Sequence, residues 1–188
     1  MLDRKLNRRS LLLGLGAGFI GLGIPKSYAS SSIARELPGT RVLNMNNLHT
    51  NESCEVCFWK DGQFQEKQVK RLDNLLRDFR RNEIINMDKS LYMQMALLQE
   101  RLGGEVLFEI ISGYRSPATN EMLRNSTTGV AKKSFHMTGQ AVDVRVKNVA
   151  LNKVHSAALE LGLGGVGYYP NSGFVHIDTG RVRHWRGS

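Results

Sequence analysis

The sequence predicts an α+β fold, with a mostly antiparallel sheet and flanking helices. Three observations carry this: helical spacing of apolar residues in the first half, alternating short segments in the second, and turn formers between them. Arg41 to Met45 and Glu52 to Trp59 read as strands, and Asp61-Gly62 supplies the turn after the second. Gln65 to Arg81 reads as a helix because Val69, Leu72, Leu75, Leu76 and Phe79 recur at helical spacing. Ser90 to Leu102 is a second helix, closed by Gly103-Gly104. Val106 to Ile111 is a strand that runs into Ser112-Gly113-Tyr114-Arg115-Ser116, and Pro117 opens a short helix toward Arg124. Ala141 to Arg145 alternates, with its valines on one face and Asp143 on the other. Asn152 to Leu161 is the last helix. A glycine-rich loop then leads to a strand from Phe174 to Thr179, in which Val175 and Ile177 oppose His176 and Asp178.

Length and composition fit one enzyme domain. A chain of 188 residues, 41% hydrophobic, buries one good core, and no segment is repeated or low in complexity. Residues 1–29 read as an export signal outside the fold. Arg8-Arg9 precede Ser10, an uncharged run extends from Leu11 to Ile24, and Ser27-Tyr28-Ala29 places small residues where a signal peptidase reads. The run is shorter than the roughly 20 apolar residues that span a bilayer, and its glycines keep it weakly hydrophobic. With the paired arginines, this favours the twin-arginine route, although Asn7 stands before the pair where the usual motif differs. A retained N-terminal anchor is the other reading, and it also faces the domain outward. Residues 30–40 form a short linker and residues 41–188 the domain. The export segment holds Arg4, Lys5, Arg8, Arg9 and Lys26 against Asp3, a net of +4, which leaves +5 of the total +9 to the rest. Much of the charge behind the pI of 9.8 therefore leaves with the signal, which argues against a nucleic-acid partner.

His136, Asp143 and His176 form a candidate zinc site. Each strand offers an aliphatic face to the core and a metal-ligand residue on its other face. Gly139 permits a turn between His136 and the Asp143 strand, so these two need not obey one strand's alternation. Two histidines and one carboxylate match a catalytic zinc set, since three protein ligands leave a fourth position for water, whose pKa falls to about 7. Hydrolysis is the leading expectation.

The pattern Ser134-x-His136-x-x-Gly139-x-Ala141-x-Asp143, with a strand histidine at 176 and Ser112-Gly113-Tyr114-Arg115-Ser116 before it, resembles the zinc D-Ala-D-Ala peptidases. The resemblance runs from about residue 40 to the end, and it implies the fold shared with hedgehog domains. It further implies that His136, Asp143 and His176 hold Zn2+, that Arg115 lies beside the substrate and stabilises the developing oxyanion, and that Ser134 contacts the substrate backbone. Tyr114 is read as packing. Those enzymes carry a carboxylate three residues before the final zinc histidine, where this chain has Gly173. Asp178, two residues after His176 on the same strand face, is the nearest alternative: it either takes the proton from water or orients a histidine ring. A loop base, Tyr168 or Tyr169, is a further option. The activity implied is hydrolysis of amide bonds in peptidoglycan stem peptides or their cross-links, in the periplasm or envelope. A D-Ala-D-Ala carboxypeptidase and a non-catalytic zinc domain that binds wall peptide are its rivals.

Cys54 and Cys57 are expected to be structural, either unpaired or linked, since residues three apart on a strand point to opposite faces. His49, His155 and His184 lack a ligand context: His155 is expected on the surface, and a place next to the ligands is only the lesser reading of His184, beside Trp185.

Overall fold

The computed structural model describes residues 39–127 and 129–187; the expected export signal and most of the expected linker lie outside the described residues. The elements are β1 (Arg41–Asn47), β2 (Ser53–Lys60), β3 (Gln63–Phe64), α1 (Glu66–Leu75), α2 (Lys89–Arg101), β4 (Leu107–Ser112), α3 (Pro117–Ser126), a 3-10 turn (Phe135–Thr138), β5 (Ala141–Val146), α4 (Leu151–Leu161), β6 (Gly165–Tyr169), β7 (Phe174–Asp178) and β8 (Arg183–Arg186). The strands make one sheet in the order β3-β2-β1-β4-β5-β7-β6-β8. Five of its pairings are antiparallel and two, β1 with β4 and β6 with β8, are parallel, so the sheet is mixed with an antiparallel majority.

The core follows from strand alternation. Leu43 and Met45 of β1, Val142 and Val144 of β5, and Val175 and Ile177 of β7 are buried in one cluster with Leu72 of α1, Leu91 and Met95 of α2, and Val154 of α4. Because side chains alternate, packing these residues into the core commits Asp143 and His176 to the opposite face. Removing any large member of this cluster costs about 2–5 kcal/mol. No helix of the described residues is long and apolar enough to cross a membrane.

Three expectations change. Helix α1 stops at Leu75 and does not reach Arg81. The carbonyl of Leu76 accepts instead from Tyr114 N at 2.6 Å, and Asp78 is buried and turned toward Ser116, so the chain leaves the helix to meet the loop after β4. The apolar period continues to Phe79 because that ring stacks on His49 at 4.1 Å, which is packing of a different kind. The glycine-rich loop contains β6, and β8 follows β7. Glycine lowers strand propensity, but here the missing side chains are a spatial requirement. A Cβ on Gly167 would lie 2.6 Å from the Trp185 ring, and one on Gly165 would collide with the Arg183 guanidinium. Strand β6 is glycine-rich so that β8 side chains can lie flat across it.

Candidate metal centre

Each ligand-type side chain reaches the site by a separate structural device. His136 sits in the 3-10 turn, capped by Ser134, whose Oγ accepts from His136 N at 3.3 Å, and ended by Gly139 in the left-handed region at φ 67°. Gly139 O accepts from Asp88 N at 2.9 Å, and Asp88 caps α2 through Ser90 N, so the turn is tied to a core helix. Asp143 and His176 are direct partners across β5 and β7, where cross-strand neighbours come within side-chain reach.

The hydrogen bonds fix which nitrogen of each ring faces the site. Gly113 O can only accept, so His136 Nδ1, 2.7 Å away, carries a proton and Nε2 is the nitrogen turned to the site. The Asp178 carboxylate likewise accepts from His176 Nε2 at 3.1 Å, which turns His176 Nδ1 inward. His136 Nε2 lies 3.3 Å and His176 Nδ1 2.8 Å from Asp143 Oδ1. One ligand atom from each of the three residues fits within a 4.8 Å span, and among the described residues no second such group forms. All three residues are buried.

The charges are matched by proximity. Burial disfavours the Asp143 carboxylate, but the adjacent His136 and His176 outweigh it and hold the group well below the usual carboxylate range. Burial likewise works against the His176 cation, yet hydrogen bonds to Asp143 and Asp178 push its pKa up to about 9. Asp178 is held below the ordinary range by His176, Arg183 and Gly180 N, against its burial.

Arg115 lies beside this group, its Nη2 4.0 Å from Asp143 Oδ2. Its Nη1 reaches Asn120 Oδ1 and its Nη2 reaches Ser112 Oγ, both at 3.4 Å, while its backbone N donates to His136 O at 3.1 Å. Burial lowers its pKa most, with Arg80 adding like-charge repulsion and Asp143 opposing both.

The other expectations resolve one by one. Tyr168 lies on the helix side of β6, stacked on a half-buried His155 at 4.6 Å, and so faces away from the ligands; His155 is not the plain surface residue expected. Tyr169 is on the site side, and its hydroxyl accepts from Trp185 Nε1 at 2.8 Å. His184 is exposed, and the neighbour of His176 is Trp185, with ring centres 5.2 Å apart, because β8 alternation sends Arg183 and Trp185 inward. Cys54 and Cys57 are free, half-buried thiols on β2. The sequence reading missed Gly113 O, Arg183 and Trp185. The alternate glycines 165 and 167 were the available signal for the last two, since a strand that lacks side chains on one face invites close neighbours there.

Two inward ring nitrogens and one carboxylate oxygen, with both histidines anchored from behind, make the donor set of a metal-dependent hydrolase. The family model described as Peptidoglycan L,D-endopeptidase MepK, of the M15 peptidases, matches residues 35–185, and the chain belongs to that family. It is 44% identical to the Peptidoglycan L,D-endopeptidase MepK of Escherichia coli K12 over 179 residues, 95% of this chain and 97% of that one. It is 42% identical to the "Probable peptidoglycan L,D-endopeptidase MepK" of Haemophilus influenzae over 174 residues, 92% and 94% of the two chains. No solved structure matches it at a significant level.

Proposed function

We propose that this chain is a zinc-dependent endopeptidase of the bacterial envelope that hydrolyses cross-links between peptidoglycan stem peptides. The observation that carries the reading is the convergence of His136 Nε2, Asp143 Oδ1 and His176 Nδ1 in a member of this family. The donor set fits zinc: two imidazole nitrogens and one carboxylate oxygen, with the other nitrogen of each ring already bonded to Gly113 O or Asp178. Zinc in such a site supplies a water of lowered pKa and polarises a peptide carbonyl.

The chain's own residues then divide the work. Arg115 is a fixed cation at the edge of the ligand group, placed to receive the negative charge that develops on the scissile carbonyl oxygen. Ser134 is half-buried and caps the His136 turn with its oxygen lone pair, so its hydroxyl proton remains to contact the peptide backbone. Asp178 orients His176 through Nε2. It is 0% exposed and carries hydrogen bonds on both oxygens, which suits holding a ring better than collecting a proton. The relatives' names specify an L,D bond, which supports a cross-link amide as the scissile bond. Residues 1–29 serve as the export signal, by the twin-arginine route.

The test is digestion of purified peptidoglycan by the isolated protein, with and without a chelator, followed by mass identification of the muropeptides. Cross-linked dimers should fall to monomers only in the chelator-free arm. Release of free D-Ala with dimers intact would mark a carboxypeptidase instead, and zinc binding with no product a wall-peptide-binding domain.

A further inference from the structure

We propose that Arg183 is a positioning residue of the metal centre: it locks the Asp178 carboxylate that aims His176, and Gly165 lacks a side chain in order to admit it. The inference rests on the reading of His176 as a metal ligand.

Asp178 is completely buried. Its Oδ1 accepts from Gly165 N at 3.2 Å, Gly180 N at 2.8 Å and Arg183 Nη1 at 3.0 Å, and its Oδ2 from Arg183 Nη2 at 2.6 Å and His176 Nε2 at 3.1 Å. A guanidinium fork that engages both oxygens fixes the plane of the carboxylate as well as its position. The plane matters because the χ2 torsion of histidine is broad and does not by itself hold the ring. Whatever fixes Oδ2 fixes the line to Nε2, and therefore the direction of Nδ1 into the site. Arg183 also supplies the positive partner without which a fully buried carboxylate is costly.

The arginine is itself held from two sides. Its guanidinium lies 5.3 Å from the ring centre of Phe135, the residue before His136, and 4.9 Å from that of Trp185, which packs against His176. It thus bridges the elements that carry both histidines. Gly165 is the residue paired with Arg183 in the β6–β8 register. A Cβ there would collide with Arg183 Nη1 and lie 2.5 Å from Asp178 Oδ2, so any side chain at 165 displaces the fork. Three residues of three successive strands, Gly165, Asp178 and Arg183, act as one unit on a ligand that only one of them touches.

The experiment measures the Kd for zinc by competition with a chromophoric chelator, and the visible spectrum of the cobalt(II)-loaded protein, in folded variants checked by circular dichroism. Arg183→Gln and Gly165→Ala should each weaken zinc binding about 10 to 100-fold, the range for loss of an outer partner of a ligand, and shift the cobalt bands. Arg183→Lys keeps the charge and loses the fork, so it should recover the affinity only in part. In an Asp178→Asn background, adding Arg183→Gln should cost less than about twofold more, because the arginine acts through that carboxylate; a merely structural role would give additive losses. Should Arg183→Gln not fold, Gly165→Ala and Arg183→Lys carry the test. Wild-type affinity and cobalt spectrum in Gly165→Ala and a folded Arg183 variant, or fully additive losses, would overturn the inference. His176→Ala separates the two ideas: if it binds zinc like wild type, the ligand reading falls and the inference with it, whereas zinc loss confined to His176→Ala defeats the inference alone.

Discussion

His176 stands between two carboxylates, 2.8 Å from Asp143 and 3.1 Å from Asp178, and this sets the pH behaviour of the whole site. In the metal-free protein its pKa is raised to about 9 from 6.5. A raised pKa contributes stability that is complete below about 6.5 and is lost as pH rises through 9. The same proton competes with a metal for Nδ1, so the two effects have opposite signs. Between pH 7 and 9 the melting temperature of metal-free protein should fall, while zinc affinity measured by chelator competition should rise by up to about tenfold per pH unit. A flat zinc affinity over that range would remove His176 from the ligand set. Alanine at His136, Asp143 or His176 should each sharply lower zinc content by elemental analysis. Arg115→Ala makes a different prediction, because the guanidinium approaches Asp143 no closer than 4.0 Å and is placed to meet substrate. Zinc content should stay near wild type while cross-link cleavage falls about 100-fold or more, the usual cost of one oxyanion donor.

At the scale of elements, the loop that bears Arg115 is held by a residue just beyond the end of α1. Asp78 Oδ2 accepts from Ser116 N at 2.9 Å and Ser116 Oγ at 2.7 Å, and Oδ1 accepts from Arg80 N at 3.1 Å. Ser116 in turn caps α3 by accepting from Thr119 N. Close packing reinforces the tie: a Cβ on Gly113 would collide with the carbonyl oxygen of Leu76, so the SGYRS segment passes directly against the end of α1. Asp78→Asn leaves buried donors poorly matched and should cost about 1–3 kcal/mol at pH 7 in urea titrations. Burial alone would raise the Asp78 pKa, but hydrogen bonds from Thr119 and Ser116 leave it lowered. A lowered pKa gives stability that is present above about 3.9 and lost as pH falls, so the gap between wild type and Asp78→Asn should narrow toward pH 3. A gap that does not change with pH would show that the charge of Asp78 contributes nothing to the tie.

For the whole molecule, the proposed route to the envelope makes a test that needs no structure. Arg8→Lys with Arg9→Lys keeps the charge but removes the pair that a twin-arginine receptor reads, so precursor should accumulate in the cytoplasm of fractionated cells; unchanged delivery would point to general secretion. The sequence by itself determined the two-faced strands of β5 and β7, the left-handed turn at Gly139 and the family motifs, because strand alternation and glycine's access to positive φ are properties of short segments. It therefore placed His136, Asp143 and His176 as candidates before any fold was known. It did not determine that the period through Phe79 breaks at Leu75, since the competing hydrogen bond to Leu76 O comes from Tyr114, 38 residues away. Nor did it show β6 and β8: the glycines of β6 read locally as loop and become strand only where Arg183 and Trp185 of β8 fill the space they leave. Which nitrogen of each histidine faces the site was decided by Gly113 O and the Asp178–Arg183 pair. Those groups meet the histidines only when the sheet closes, and tertiary structure alone fixes such meetings, because the burial that makes them strong does not exist in any segment of the chain taken alone.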